Sequence, residues 1–337
     1  MLEIQEAVLH LYDGMTAERV FSGRPMDLRD VPEDYLGKHL ERIMKDPRAA
    51  RAVFDSLSPI PNELKLYLGG EWNFLKLAQA LAEAFFAALS AQEVRQDMSV
   101  VVVRFTDENA GQYLALLVLD GRHGFLNHVD ADESGSVRCS IELVQTLLPQ
   151  PTQQLRGYCM IDLERESVRL RDVRIKTDDE PVAIFEEQAF LLFSEPSSQD
   201  AFTGLHAAAM RVADTYAMDA VDASVRTHAA IAENVQESDT LDTVSVARQV
   251  FPQSPQMQRS FVAGDEEQGA EPLPQTLHIQ QDYARRKTKV QRLICDNGIE
   301  LKIPAELMTD PESVEIRLEP DGTQSIRLQG IAVITPK

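Results

Sequence analysis

Met98-Ser99-Val100-Val101-Val102-Val103-Arg104-Phe105-Thr106, then Asp107-Glu108-Asn109-Ala110-Gly111, then Gln112-Tyr113-Leu114-Ala115-Leu116-Leu117-Val118-Leu119-Asp120: this stretch decides the fold. Two apolar runs flank a cluster of turn-forming residues, so they read as neighbouring strands. Neither run shows the polar alternation of a sheet with one wet face. Both therefore belong at the centre of a sheet covered on its two sides. No catalytic motif lies on them.

Upstream, residues 4–12 form another strand with Val8, Leu9 and Leu11, closed by the turn Asp13-Gly14. His10 in this run reads as a core imidazole, because no second ligand type stands at a useful spacing. Pro32, Glu33 and Asp34 start a helix, since proline suits the first turn and acids complement the helix dipole. Its apolar face holds Tyr35, Leu36, His39, Leu40 and Ile43. The best helix spans residues 73–94. There Phe74, Leu77, Ala78, Leu81, Phe85 and Ala88 recur at helical spacing opposite Lys76, Gln79 and Glu83, with Asn73 as N-cap. This helix is expected to cover one face of the 98–120 strands. The preceding Gly69-Gly70 is a turn, because it lacks both the glycine fingerprint and the Lys-Ser/Thr of a phosphate loop.

Downstream, residues 125–172 continue as short strands, clearest at 137–144 and 158–163. Asp130 to Gly135 imitates the first half of a calcium loop, yet the twelfth position is Ile141 where a bidentate Glu is needed. The stretch reads as a solvated hairpin tip. His123, His128, Asp130 and Asp132 are candidates for a divalent-metal cluster but read as ordinary loop residues. From 182 the chain turns helical and acidic. An apolar helix at 183–193 is followed by a stripe of Phe202, Leu205, Ala209, Val212 and Tyr216. Two further helices meet at Pro252-Gln253-Ser254 in a helix-turn-helix arrangement. The second carries one base, Arg259, which is poor support for a DNA-reading helix.

Gly264 to Pro274 has the acid, glycine and proline content of an exposed linker. Beyond it, residues 290–295 lead into the turn Asp296-Asn297-Gly298, after which Ile299, Leu301 and Ile303 alternate with Glu300 and Lys302. Val314, Ile316 and Leu318 alternate likewise, and Pro320-Asp321-Gly322 turns the chain into Ile326 and Leu328. The fold class is thus α+β. An N-terminal mixed α/β sheet domain spans 1–180, a central acidic helical region 181–263, a linker 264–275, and a small C-terminal β-rich module 276–337.

Composition bounds the function. The chain has 337 residues, 44% of them hydrophobic, enough for about two domains with real cores. Three scattered cysteines make no disulfide framework and suit a reducing cytosol. No apolar run approaches the ~18 residues of a membrane span, and the start lacks a basic and apolar leader, so the expectation is a soluble cytoplasmic protein. The formal charge is −21. Residues 181–275 carry fifteen acids and four bases, whereas 276–337 carry nine of each. So acidic a surface repels polyanions, and any nucleic-acid contact must be local. One basic cluster stands against this background: Arg285, Arg286, Lys287 and Lys289, with Arg292 nearby. These five are the candidate phosphate-binding residues, and in an extended segment Lys287 and Lys289 would point to one side. The plainer reading is a solvated strand edge.

No Gly-x-Ser-x-Gly, His-Glu-x-x-His or phosphate loop occurs, so neither an enzyme nor a cofactor is expected. A hydrolase or nuclease with a dispersed site is the alternative. A homodimer is expected from the 202–216 stripe and from exposed strand edges.

The opening strand with His10, the Tyr113 to Asp120 strand, Gly298-Ile299-Glu300-Leu301 and the pattern Pro320-Asp321-Gly322 … Ile326-Arg327-Leu328-Gln329-Gly330-Ile331 together resemble the bacterial nucleoid-associated protein family of the NdpA type. The order of strand, helices, sheet, acidic helices and β-rich end fits along nearly the whole chain. The resemblance implies a cytoplasmic, non-enzymatic nucleoid protein, and for some members a topoisomerase partner. It implies no active site.

Overall fold

A computed structural model describes residues 2–29, 31, 35–131, 136–177, 180–236, 238–265, 269–308, 310, 312–319, 323–333 and 335. The helix start Pro32-Glu33-Asp34, the tip Asp132 to Gly135 and the turn Pro320-Asp321-Gly322 lie outside the described residues. The chain forms two compact units, Met1–Glu195 and Pro196–Lys337.

In the first unit eight strands form one sheet. Its order from edge to edge is Leu192–Ser194, Ala50–Phe54, Val168–Arg171, Gly157–Asp162, Gln112–Asp120, Met98–Thr106, Glu3–Tyr12 and Arg19–Phe21. Every ladder in it is antiparallel, and helices pack on the sheet, in keeping with the α+β class read from the sequence. The central pair is antiparallel because the short connection at 107–111 permits a hairpin, whereas a parallel return needs a dozen or more residues. Asp107 sets that turn, its carboxylate accepting from the N–H groups of Asn109 and Gly111 at 2.9 and 2.8 Å.

The two central strands are buried on both faces, as their unbroken apolarity requires. Val100, Val102, Leu114, Leu116 and Val118 join a core with the helix Phe74–Ala91. Val101, Val103, Phe105, Leu117 and Leu119 point the other way, into a core with Leu36, Leu40 and Ile43 of the helix Tyr35–Met44. Successive side chains of a strand alternate faces, so one run of sequence supplies both cores. Asn73 caps the longer helix, accepting from the Lys76 N–H at 2.9 Å. By length and composition this helix is apolar enough to cross a membrane, which inspection of apolar runs does not reveal; its Phe74, Leu77, Leu81, Phe85 and Leu89 are buried on the sheet. Gly14 has its own packing reason. A Cβ there would stand 2.4 Å from backbone atoms of Arg95 and Gln96.

Residues 183–193 are not the apolar helix their composition suggests. They form a short strand Val182–Ala183, a π-helical turn Ile184–Ala189 and the edge strand Leu192–Ser194. Tertiary partners decide this. The Asp172 carboxylate accepts from the N–H groups of Phe185 and Glu186 at 2.8 Å each, and Leu192–Ser194 pairs with Ala50–Phe54. Burial pushes the Asp172 carboxyl up to about 6, against the pull of those backbone N–H groups.

The second unit packs the helices Ser198–Thr215, Ala220–Asn234, Thr243–Val250 and Pro255–Ala263, each capped by a side chain: Ser197, Asp219, Asp242 and Ser254. Phe202, Leu205, Ala209 and Val212 are buried in this unit's own core, so the stripe is an intramolecular seam. Described residues on either side of 266–268, in the segment expected to be a linker, make backbone bonds. Asp265 and Ala270 exchange two backbone bonds, and Leu273 donates to the Val262 carbonyl at 2.9 Å. Thr276–His278 then pairs with Thr240–Asp242. Leu277, Ile279, Tyr283 and Ala284 therefore belong to the helical core, and the division into compact units falls at Glu195/Pro196. Two hairpins follow, Val290–Ile294 with Glu300–Pro304 and Val314–Leu318 with Gln324–Leu328.

Candidate nucleic-acid interface

The helix Gln281–Thr288 is short and polar, and three backbone ties hold it in place. Gln280 N–H donates to Ser198 Oγ at 3.0 Å, and Gln281 N–H to Asp239 Oδ1 at 3.1 Å. At the other end the Lys289 carbonyl accepts from Ala305 N–H at 2.9 Å. Tyr283, Ala284 and Thr288 face the core, which leaves Arg285, Arg286 and Lys287 exposed in the last turn. Cations there complement the negative end of the helix dipole, which is a purely structural reason for them.

The helical geometry corrects one expectation. Lys287 and Lys289 do not share a side, because two residues along a helix turn the chain by about 200°. Arg285, Arg286 and Lys289, at spacings of three and four, share a face instead. Lys287 leans back over the Tyr283 ring, 5.6 Å from its centroid. Arg286 Nε donates to the Asp282 carbonyl at 3.2 Å, and the Arg285 guanidinium stands 3.9 Å from the Asp282 carboxylate. That pair is largely exposed and holds Arg285 only weakly.

The strand Val290–Ile294 alternates cleanly. Gln291 is buried, its amide donating to Ser224 Oγ at 2.6 Å, and this bolts the root of the hairpin to the helix Ala220–Asn234. Arg292 points outward, directly opposite Lys302. Among the described residues Lys289, Arg292 and Lys302 make no ion pair. Lys302 is the residue that inspection of the basic run misses. The turn Asp296-Asn297-Gly298, with Gly298 at φ +85°, fixes the register, and counting back from it places Lys302 across from Arg292.

Behind the cluster, Val225, His228, Thr288, Gln291 and Met308 are among the residues lining a mainly apolar cavity of about 90 Å³. This is well below the ~300 Å³ of pockets that take a small molecule. Burial lowers His228 to about 4, with His206 and Lys287 adding to the effect, so its ring is neutral at physiological pH. The surface is an exposed cationic ridge and not a cleft for a base or nucleotide.

Two of the four earlier metal candidates, His128 and Asp130, have described side chains. His128 bonds Asp130 at 2.7 Å and lies 3.6 Å from Glu142, while Asp132 and the His123 side chain lie outside the described residues. Among the described residues no three His, Cys, Asp or Glu side chains are gathered as metal ligands.

The sequence matches the family described as nucleoid-associated protein YejK over residues 8–335. The chain belongs to that family. The YejK match runs through both compact units and takes in the 285–302 ridge. A comparison with curated proteins finds no match. What the YejK family provides is a setting, the nucleoid, in which the ridge can be interpreted.

Proposed function

We propose that this is a non-enzymatic, cytoplasmic nucleoid-associated protein that touches DNA locally, with Arg285, Arg286, Lys287, Lys289, Arg292 and Lys302 on phosphates. The observation that carries the reading is the Arg292/Lys302 pair beside the helix end in a chain of formal charge −21. Like charges directly opposite on a ladder cost stability, and a phosphate lying across them offsets that cost. Phosphate contacts carry no sequence information, and the acidic remainder repels the duplex. Binding is therefore weak, local and indifferent to sequence.

The test is a salt titration of fluorescent-duplex binding with the parent and with Arg286→Ala/Lys289→Ala/Arg292→Ala. All three residues are exposed, so the variant keeps its fold. The slope of log affinity against log salt is expected to flatten by roughly 0.9 for each lost contact, about 2.7 in all. An unchanged slope, or a parent that binds no duplex at low salt, removes the ridge from the account. Nucleoid association would then run through a protein partner, such as a topoisomerase, on the acidic helices of the second unit.

A further inference from the structure

Between two neighbours of the main sheet the chain makes an excursion. After Gln112–Asp120 it leaves at Gly121, forms the hairpin Arg122–Ala131 with Val137–Leu147, and returns at Gly157–Asp162. The hairpin is a separate two-stranded arm that pairs with no other strand among the described residues. At about 3.4 Å per residue it is on the order of 30 Å long.

The register sorts its two faces. One holds the pairs Leu126/Glu142, His128/Ser140 and Asp130/Arg138. The other holds Phe125/Leu143, Asn127/Ile141 and Val129/Cys139, with Val137 next in line, and none of these residues is Asp, Glu, Lys or Arg. Of these, Phe125 is 73% exposed, Val129 61%, Val137 62%, Ile141 74% and Leu143 54%. A quarter of the whole chain is charged, so a charge-free face on an exposed arm is a patterned feature.

We propose that this face is a homodimer interface, packed against the same face of a second copy across a two-fold axis. Three arguments favour a second copy over a different partner. First, an isolated two-stranded arm is marginal in water, so its cover must be present whenever the chain is, and a second copy always is. Second, the exposed apolar side chains amount to an area on the order of 600 Å² per protomer, the lower end of what stable interfaces bury on each partner. Third, two chains of −21 repel at long range, and an uncharged contact adds no like-charge juxtaposition to that repulsion. This face offers such a contact, while Glu142, Asp130 and Arg138 point away from it. Face-to-face stacking of two sheets at about 10 Å is the ordinary way to bury such surfaces, and a self-complementary patch generates a closed pair. DNA is a poor fit to an uncharged face.

Sedimentation equilibrium over a wide concentration range tests this with the full chain. The parent is expected to rise from 37.7 kDa toward twice that mass. Phe125→Lys/Ile141→Lys places two cations in the contact on each copy and is expected to raise the dimer dissociation constant at least roughly a hundredfold. Leu126→Lys, on the opposite face of the arm, is expected to leave it within a few-fold. Trp72, the single tryptophan, packs against the core of the first unit, and its emission verifies that each variant is folded. A parent monomeric at every concentration, a parent that grows into open polymers, or a dimer that survives Phe125→Lys/Ile141→Lys would each overturn the assignment.

Discussion

Phe85→Ala is expected to destabilise the first unit by about 3–5 kcal/mol, the range for removing a fully buried phenyl ring. Phe85 has no exposed surface and lies on the sheet-facing side of the helix Phe74–Ala91. Its ring centroid is 4.9 Å from that of Phe185 and 6.2 Å from that of Phe86, and Phe185 in turn touches Phe190 at 5.3 Å. One side chain thus ties the long helix to the π-helical turn and, through it, to the sheet edge at Leu192–Ser194. Total stabilities of domains are about 5–15 kcal/mol, so the loss is a large share. Urea unfolding followed by Trp72 emission gives the number for this unit separately from the other. A change below about 1 kcal/mol would mean that the helix does not pack as described.

In the first unit the buried His10 and the half-buried Asp172 act in opposite directions over the same pH range. Burial lowers His10 from 6.5 to about 4, and its Nδ1 accepts from Ser22 N–H at 3.2 Å. Between these values the unfolded chain binds the proton and the folded chain does not, so stability is lost as pH falls from 6.5 through 4. The cost is up to about 3 kcal/mol. Asp172 is raised from 3.8 to about 6, mainly by burial. Its contribution is fully present below 3.8 and is lost as pH rises through 6, and it too amounts to up to about 3 kcal/mol. The two contributions therefore offset each other in the parent between pH 4 and 6. His10→Gln keeps an acceptor for Ser22 and removes the His10 contribution, so relative to the parent its profile should tilt toward greater stability in acid. Asp172→Asn removes the Asp172 contribution, and its stability should fall more steeply toward acid than the parent's. The readout is the slope of unfolding free energy against pH, which a uniform loss of stability in either variant does not alter. Parallel profiles for parent and variants would refute the assignment.

Much of the first unit is legible in the sequence because its signals are local. The 98–120 runs are apolar at both odd and even positions, and both sets find a core. Asn73 caps the helix it precedes, as Ser254 does in the second unit. Where the reading departs from the structure, a distant partner decides. Residues 183–193 are apolar enough for a helix, yet Asp172 caps the turn after Ala183 and the Ala50–Phe54 strand takes up Leu192–Ser194. Gly264 to Pro274 has a linker's composition, but Val262 and Thr243 hold its backbone. In the ridge, the bases were visible as a run while their geometry was not. The buried set Tyr283, Ala284 and Thr288 makes the segment helical, and the hairpin register supplies Lys302. The arm's uncharged face emerges only after pairing, since along each strand its residues alternate with those of the opposite face.

The claim at the centre of this account is that DNA meets the protein on the 285–302 ridge. Hydrogen–deuterium exchange of the full chain, with and without a short duplex at low salt, tests it without altering any residue. Slowed exchange confined to peptides covering residues 281–304 is the predicted result, with the sheet of the first unit unaffected. Protection located elsewhere, or none at a duplex concentration that saturates binding, would contradict it.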